Sequence, residues 1–261
     1  MDLGICEQSY IPLRAGISHR AEMISQVLFG EIFEIISHRG EWLKIKLLHD
    51  GYEGYVEASS TTHLLINTDN LYNDYNNSII CSEINNWFIK NNKESILLPI
   101  GAKIPRSINS ENKFYINENS YSSQSQLIQS EVIDKRISIV EISKKLINTP
   151  YLWGGRTGWG IDCSGFSQLV YKLIGIDIPR DANQQITIGT TLNFISEAKA
   201  GDLAFFDNEE GEIIHVGMIL DNNNIIHSSR YVKIDTIDHQ GIYNKTIKKY
   251  THNLRVIKSI I

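Results

Sequence analysis

An α+β chain, with small all-β barrels ahead of a domain mixing helices and strands, is predicted by three observations. Through the first 65 residues, short apolar runs alternate with glycine-bearing turns. From Glu131 the apolar spacing changes to a helical period. Beyond Cys163 a single amphipathic stripe is followed by further strand-like runs.

In chain order, the runs Tyr10–Leu13, Val27–Phe29, Ile32–Ile36, Trp42–Leu47 and Tyr52–Val56, punctuated by Gly16, Gly30, Gly40 and Gly51, define a small barrel over residues 1–66. Residues 67–78 are mostly Asn, Asp, Thr and Tyr, too polar to build a core, and are expected to be a linker. Ser95–Ile100, Ala102–Pro105 and Lys113–Ile116, between Asn-rich stretches, give a second barrel within 79–128. The remainder, 129–261, is one further domain. Ile133, Ile137, Val140, Ile142 and Leu146 recur at helical spacing until Pro150 ends the run. Tyr151–Gly160 is rich in glycine and aromatics and is expected to be irregular. Phe166, Leu169, Val170, Leu173 and Ile174 then fall on one helix face, so Cys163 opens a helix. Asp202–Phe206, Ile213–Leu220 and Ile225–Ser228 read as strands, the last two joined through Asp221-Asn-Asn-Asn224.

The 261 residues (29.7 kDa) are 42% hydrophobic and 21% charged, which excludes a disordered or fibrous chain. No apolar run approaches the roughly 18–20 residues of a membrane span, so no membrane partner is expected. The acidic, polar start lacks the pattern of a signal peptide, and three cysteines without a Cys-x-x-Cys pair fit free thiols. Both point to a cytoplasmic protein. Lys and Arg number 10 against 15 acids in residues 1–130, and 15 against 15 in residues 131–261. The whole net charge of −5 therefore sits in the first half, which argues against nucleic acid as a partner and suits an amine-bearing ligand. There is no His-Glu-x-x-His and no metal-ligand spacing, so neither a metal nor another cofactor is expected.

A thiol in the first turn of a helix meets unpaired N–H groups and the positive end of the helix dipole, which tends to lower its pKa. Asp162 is placed to N-cap that helix, and Gly154 and Gly155 leave room for a substrate backbone. Cys6 and Cys81 lack such surroundings and read as small buried hydrophobes. Of the histidines after the cysteine (His215, His227, His239, His252), the first two lie in apolar strands, where an unpaired imidazole is costly. They read as a base and the residue that orients it. A plain two-residue loop at Asn222-Asn223 would pair Met218 with His227 and point the two imidazoles to opposite faces, so a longer or bulged turn is predicted.

These residues resemble a known family. Tyr151-Leu-Trp-Gly-Gly-Arg-Thr-Gly-Trp-Gly-Ile-Asp-Cys-Ser-Gly-Phe166, then Pro179-Arg-Asp181, Gly201-Asp-Leu203, His215-Val-Gly217 and Ile226-His-Ser228 are similar to the successive motifs of NlpC-type papain-like cysteine peptidases. The resemblance covers about residues 134–261. Pro12-Leu-Arg14, Gly30-Glu31, Gly40-Glu-Trp42 and Asp50-Gly-Tyr-Glu-Gly-Tyr-Val56 resemble the bacterial SH3-like modules that accompany these peptidases; residues 79–125 carry almost none of those marks.

The resemblance implies Cys163 as nucleophile, His215 as base and His227 as the residue orienting it, with the Cys163 N–H and Tyr151 serving the oxyanion. It further implies a murein-peptide recycling enzyme, a monomer that cuts after the D-glutamyl residue of L-Ala-γ-D-Glu-diamino acid peptides with a free amine. Asp162, Ser164 and Asp181 match the peptidase-side binding positions. Glu22 and Tyr52 are the expected contributions of the first module, which closes one end of the cleft in such enzymes, and Trp153 is expected at the cleft wall. The same chemistry would also serve an N-acetylmuramoyl-L-alanine amidase or a thiol acyltransferase, and the modules alone would serve a non-catalytic wall-peptide binder.

Overall fold

A computed structural model describes residues 2–64, 78–105, 112–123, 134–221 and 223–261. Most of the expected linker, residues 67–77, lies outside the described residues. The chain forms two compact units, residues 1–131 and 132–261.

In the first unit, Leu3–Ile5, Tyr10–Arg14, Met23–Leu28, Ile32–Arg39, Trp42–Leu47, Glu53–Glu57 and Thr62–His63 make one antiparallel sheet. The alternation read from the sequence holds: Ile11, Leu13, Val27, Phe33, Ile35, Leu43, Ile45, Leu47 and Val56 enclose one core with Cys6. The second β region contains the strands Asn85–Lys90, Glu94–Pro99, Lys113–Ile116 and Asn119–Ser123 in a four-stranded sheet, and a small ladder of Ile79–Ile80 with Lys103–Ile104. It does not stand apart from the first sheet. Leu3, Ile5, Phe29, Ile32 and Leu64 share a buried cluster with Phe88, Leu98, Ile104, Phe114, Ile116 and Tyr121.

The second unit opens with helix Lys135–Lys145, N-capped by Asp134, whose side chain accepts from the N–H groups of Arg136 and Ile137. Its inward face is Ile139, Ser143 and Leu146, whereas Ile137 is 59% exposed. The apolar spacing was therefore right in period but one residue off in phase, and Arg136 explains the shift by turning inward to Asp202 (3.0 Å) and the Ala200 carbonyl (2.7 Å).

Helix Cys163–Leu173 follows, buried from Cys163 through Lys172. It packs on a closed barrel of six antiparallel strands: Leu203–Asp207, Ile213–Asp221, Asn224–Ser229, Tyr231–Ile237, Gly241–Asn244 and Lys249–Ser259, the last pairing back to the fifth and also carrying the short strand Thr190–Leu192. Every strand of the barrel gives at least one residue to a single apolar cluster of Ala204, Phe206, Ile219, Ile225, Ile237, Ile242 and Ile257. Because side chains alternate, His215, His227 and Asp235, at even offsets from Ile219, Ile225 and Ile237, share that inner face at one end of the barrel.

Candidate active site

Asp162 builds the start of the nucleophile helix. Its Oδ1 accepts from the Gly165 N–H (2.7 Å), the Ser164 hydroxyl (3.3 Å) and Arg180 Nη1 (3.1 Å), and its Oδ2 accepts from the Gly154 N–H (2.8 Å) and Arg180 Nη2 (2.6 Å). These five donors fill the roughly four lone-pair directions of a carboxylate. The structure thus gives Asp162 the role of holding the helix start and pairing the buried Arg180. Ser164 is likewise engaged, accepting from Arg180 Nη1 at 2.9 Å. Gly155 and Gly165 serve the same junction: a Cβ on Gly165 would strike the Gly155 carbonyl oxygen, and one on Gly155 would strike the Gly160 carbonyl. Gly155 is thus spent on loop-to-helix packing and not, as its sequence context suggests, on admitting a substrate.

The loop ahead of Cys163 is laced to the third and fourth barrel strands. The N–H of Tyr151 donates to the Arg230 carbonyl (2.9 Å), that of Asn148 to the Val232 carbonyl (2.9 Å), and the Ser228 hydroxyl to the Ile161 carbonyl (2.8 Å). The strand carrying His227 is thereby tied to the segment carrying the cysteine.

Cys163 is the first residue of its helix and keeps 9% of its surface exposed, against 0% for Cys6 and 3% for Cys81. The backbone N–H groups of Val216, next to His215, and of Ser164 donate to its sulfur. Burial nonetheless pushes the thiol up to about 11, with the Asp162 carboxylate adding to the rise, and the N–H groups and Arg180 only partly offset it. The lowered pKa expected from the helix position is overridden by desolvation, so the resting thiol keeps its proton. Tyr151, half-buried, has its phenol pushed up by burial and by the neighbouring Cys163 and Asp162, which puts it beside the sulfur as a neutral O–H.

His215 and His227 do meet. The strand pairing runs Met218 to Ile226 and Ile219 to Ile225, then shifts at a bulge so that Asp221 faces Asn224. This is the bulged turn that the two-face problem demanded, and it brings His215 Nε2 to 2.8 Å from His227 Nδ1. Burial drives the His215 pKa well down, helped by His227, His252 and Lys233, so the imidazole is neutral at rest, with a lone pair able to accept a proton.

Four participants, Asp235, Lys233, His252 and Arg180, were given no role from the sequence. Asp235 Oδ2 lies 3.1 Å from His227 Nε2 and 2.7 Å from Lys233 Nζ. His252 stacks on His215 with ring centroids 4.3 Å apart. Arg180 was visible only as the middle of Pro179-Arg-Asp181. Asp235 and Lys233 fall in the strand Tyr231–Ile237, whose alternation of polar and apolar residues was the signal available.

Asp181 is the N-cap residue of the single turn Ala182–Gln185, and Trp153 is 61% exposed. Glu22 and Tyr52 belong to the first unit: Glu22 is exposed ahead of strand Met23–Leu28, and Tyr52 packs on the barrel core with its N–H bonded to Asp50. Among the described residues, no group of three or more His, Cys, Asp or Glu side chains is arranged to hold a metal ion.

A cysteine at a helix start, beside a barrel that carries a base and a chain of orienting groups, defines a thiol hydrolase of papain-like architecture. Residues 148–255 match the NlpC/P60 family and residues 13–60 the bacterial dipeptidyl-peptidase SH3 domain, so the chain carries an NlpC/P60 peptidase domain behind an SH3-like one. It is similar to the gamma-D-glutamyl-L-lysine dipeptidyl-peptidases of Bacillus cereus (25% identical, over 82% of this chain and 69% of the relative) and Bacillus subtilis (28%, over 90% and 82%). A solved NlpC/P60 family protein from Bacillus cereus shares the fold with a TM-score of 0.79 at 19% identity, over 99% of each chain.

Proposed function

We propose that the protein is a cysteine endopeptidase that hydrolyses the γ-D-glutamyl–diamino acid bond of wall peptides beginning with a free L-Ala, in the recycling of murein peptides in the cytoplasm. The observation that carries this reading is Cys163 at the start of its helix, its sulfur accepting from the N–H of Val216 next to His215, with His215 Nε2 held 2.8 Å from His227 Nδ1. The names of the two Bacillus relatives support the substrate class.

As the Cys163 sulfur attacks the γ-carbonyl carbon, His215 takes the thiol proton and the carbonyl oxygen gains the negative charge. The first N–H of the helix and the Tyr151 hydroxyl are the donors for that oxyanion. His215 then gives the proton to the departing amine of the diamino acid, leaving a thioester. Water attacks the thioester with His215 again as base, the D-glutamyl carboxylate is released, and the proton returns to sulfur. Asp162, Ser164 and Asp181 are the peptidase-side residues that would meet the terminal ammonium.

The test is mass spectrometry of L-Ala-γ-D-Glu-L-Lys after incubation with wild type and Cys163→Ala. The expected products are L-Ala-D-Glu and lysine from wild type only, with the N-acetylated tripeptide left intact. Equal turnover of both peptides would remove the free-amine requirement. Uncleaved substrate with wild type would leave the wall-peptide binder in its place.

A further inference from the structure

We propose that Asp235 is a positioning residue of this site: tethered by Lys233, its carboxylate fixes the tautomer of His227 and, through it, that of His215, leaving His215 Nδ1 bare to receive the thiol proton. The inference rests on the cysteine-hydrolase reading above and concerns how its base is set.

The argument is a chain of forced assignments. An ionised carboxylate only accepts, so His227 Nε2, at 3.1 Å from Asp235 Oδ2, must carry the hydrogen. Burial opposes the charge on Asp235, but the bonds from His227 and Lys233 outweigh it and hold that carboxyl at about 2. A neutral imidazole has one N–H, so His227 Nδ1 is a lone pair. His215 Nε2, 2.8 Å away, must then donate to it, and the remaining nitrogen of His215, Nδ1, has no hydrogen. With the opposite tautomer His215 would present an N–H where a base is needed.

The register explains why Asp235 reaches this position. His227 pairs directly with Lys233, and Asp235 pairs with Ile225, so Asp235 sits diagonally across from His227 on the same face. Lys233, on that face too, bonds the oxygen that His227 uses and keeps it turned inward. The other side of His215 is closed by the stacked ring of His252 and by Phe206, which leaves the imidazole little freedom to flip.

The proposal is tested by nitrogen-15 NMR of histidine-labelled protein together with steady-state kinetics on the L-Ala-γ-D-Glu-L-Lys tripeptide. In the wild-type spectrum at neutral pH, His215 and His227 are both expected to carry hydrogen on Nε2 alone. A His215 ring protonated on Nδ1 overturns the proposal without recourse to any variant. In Asp235→Asn the side-chain amide can donate to His227 as well as accept from it. The expected result is a mixture of tautomers at both rings and a kcat lower by up to ~10⁴, the loss when the orienting aspartate of a serine-protease triad is changed to asparagine, with KM unchanged. A purely structural role would lower melting temperature and raise KM while leaving the tautomers as they were, and that result overturns the proposal. Cys163→Ala separates the two levels. If it is inactive while Asp235→Asn runs within threefold of wild type, only the positioning role falls; if it is as active as wild type, the hydrolase reading falls and the positioning role with it.

Discussion

The sulfur of Cys163 is governed by two opposed effects. Its place at a helix start favours the thiolate, typically by no more than ~2 kcal/mol in partly buried geometries, while desolvation of a thiol can move its pKa by several units. Here desolvation wins, and Asp162 sharpens it. The resting pair is therefore a thiol and a neutral imidazole, and proton transfer belongs to the attack itself. The pH dependence follows by sign. The acid limb of kcat/KM is set by protonation of His215, whose pKa is depressed, so activity persists below the ordinary histidine range. The alkaline limb is set by loss of the thiol proton, at about 11. Ultraviolet titration of the thiolate, wild type minus Cys163→Ser, is expected to rise near that pH; a thiolate already present at pH 6 would refute the neutral pair. At this scale the sequence was most legible where a residue's role follows from its immediate neighbours. Cys163 could be picked from three cysteines because it opens a helix after a loop of glycines and aromatics with histidines on later strands, and His215 and His227 because apolar strands enclose them. The true state of the thiol was not legible, since it depends on atoms from Val216 and Arg180 that only folding delivers.

The elements that hold the site are short, and their junctions matter more than their lengths. Strands with apolar-polar alternation next to glycine turns were readable. The strands Asn85–Lys90, Asn119–Ser123, Gly241–Asn244 and Lys249–Ser259 were not, because Asn, Ser, Lys and Thr occupy many of their positions and blur the period. The bulge at the end of strand Ile213–Asp221 could be deduced, since only it let two histidines share a face. The junction at Asp162 had a legible cap and an illegible ion pair. Arg180 is 1% exposed and pairs with Asp162, so removing the acid takes away the carboxylate that neutralises a buried guanidinium. Asp162→Ala is expected to destabilise the second unit by ~3–5 kcal/mol, the cost of breaking a buried ion pair. Asp162→Asn, which keeps an acceptor for the Gly165 N–H, should lose less. Urea denaturation followed by tryptophan fluorescence measures both, and a loss below ~1 kcal/mol for the alanine variant would show that the Asp162 carboxylate does not hold this junction.

At the scale of the whole chain, the first 131 residues behave differently from what their sequence suggests. Read residue by residue, 79–128 is a second, divergent module. Its apolar side chains are instead completed by the first sheet: Phe29 packs edge-on against Phe114 and Tyr121, with ring centroids 6.2 and 5.2 Å apart. Gly30 admits the Lys103 carbonyl where any Cβ would strike it, and the Lys103 N–H donates to the Phe29 carbonyl at 2.8 Å. Buried Glu7, from the first sheet's side, accepts from Lys90 Nζ (3.2 Å), Asn119 Nδ2 (2.7 Å) and Tyr121 Oη (2.8 Å) of the second. A Gly30 backbone contact and a glutamate seven residues from the start are not patterns that periodicity exposes, which is why the shared core was missed. Two β regions that share a buried cluster should melt together. Calorimetry is expected to resolve a single transition for the first unit, and Glu7→Ala to lower it, because three donors lose a buried acceptor at ~1–3 kcal/mol for each one left unsatisfied. Separate transitions for residues 2–64 and 78–123, or a Glu7→Ala protein that melts like wild type, would show that each barrel is stable without the other.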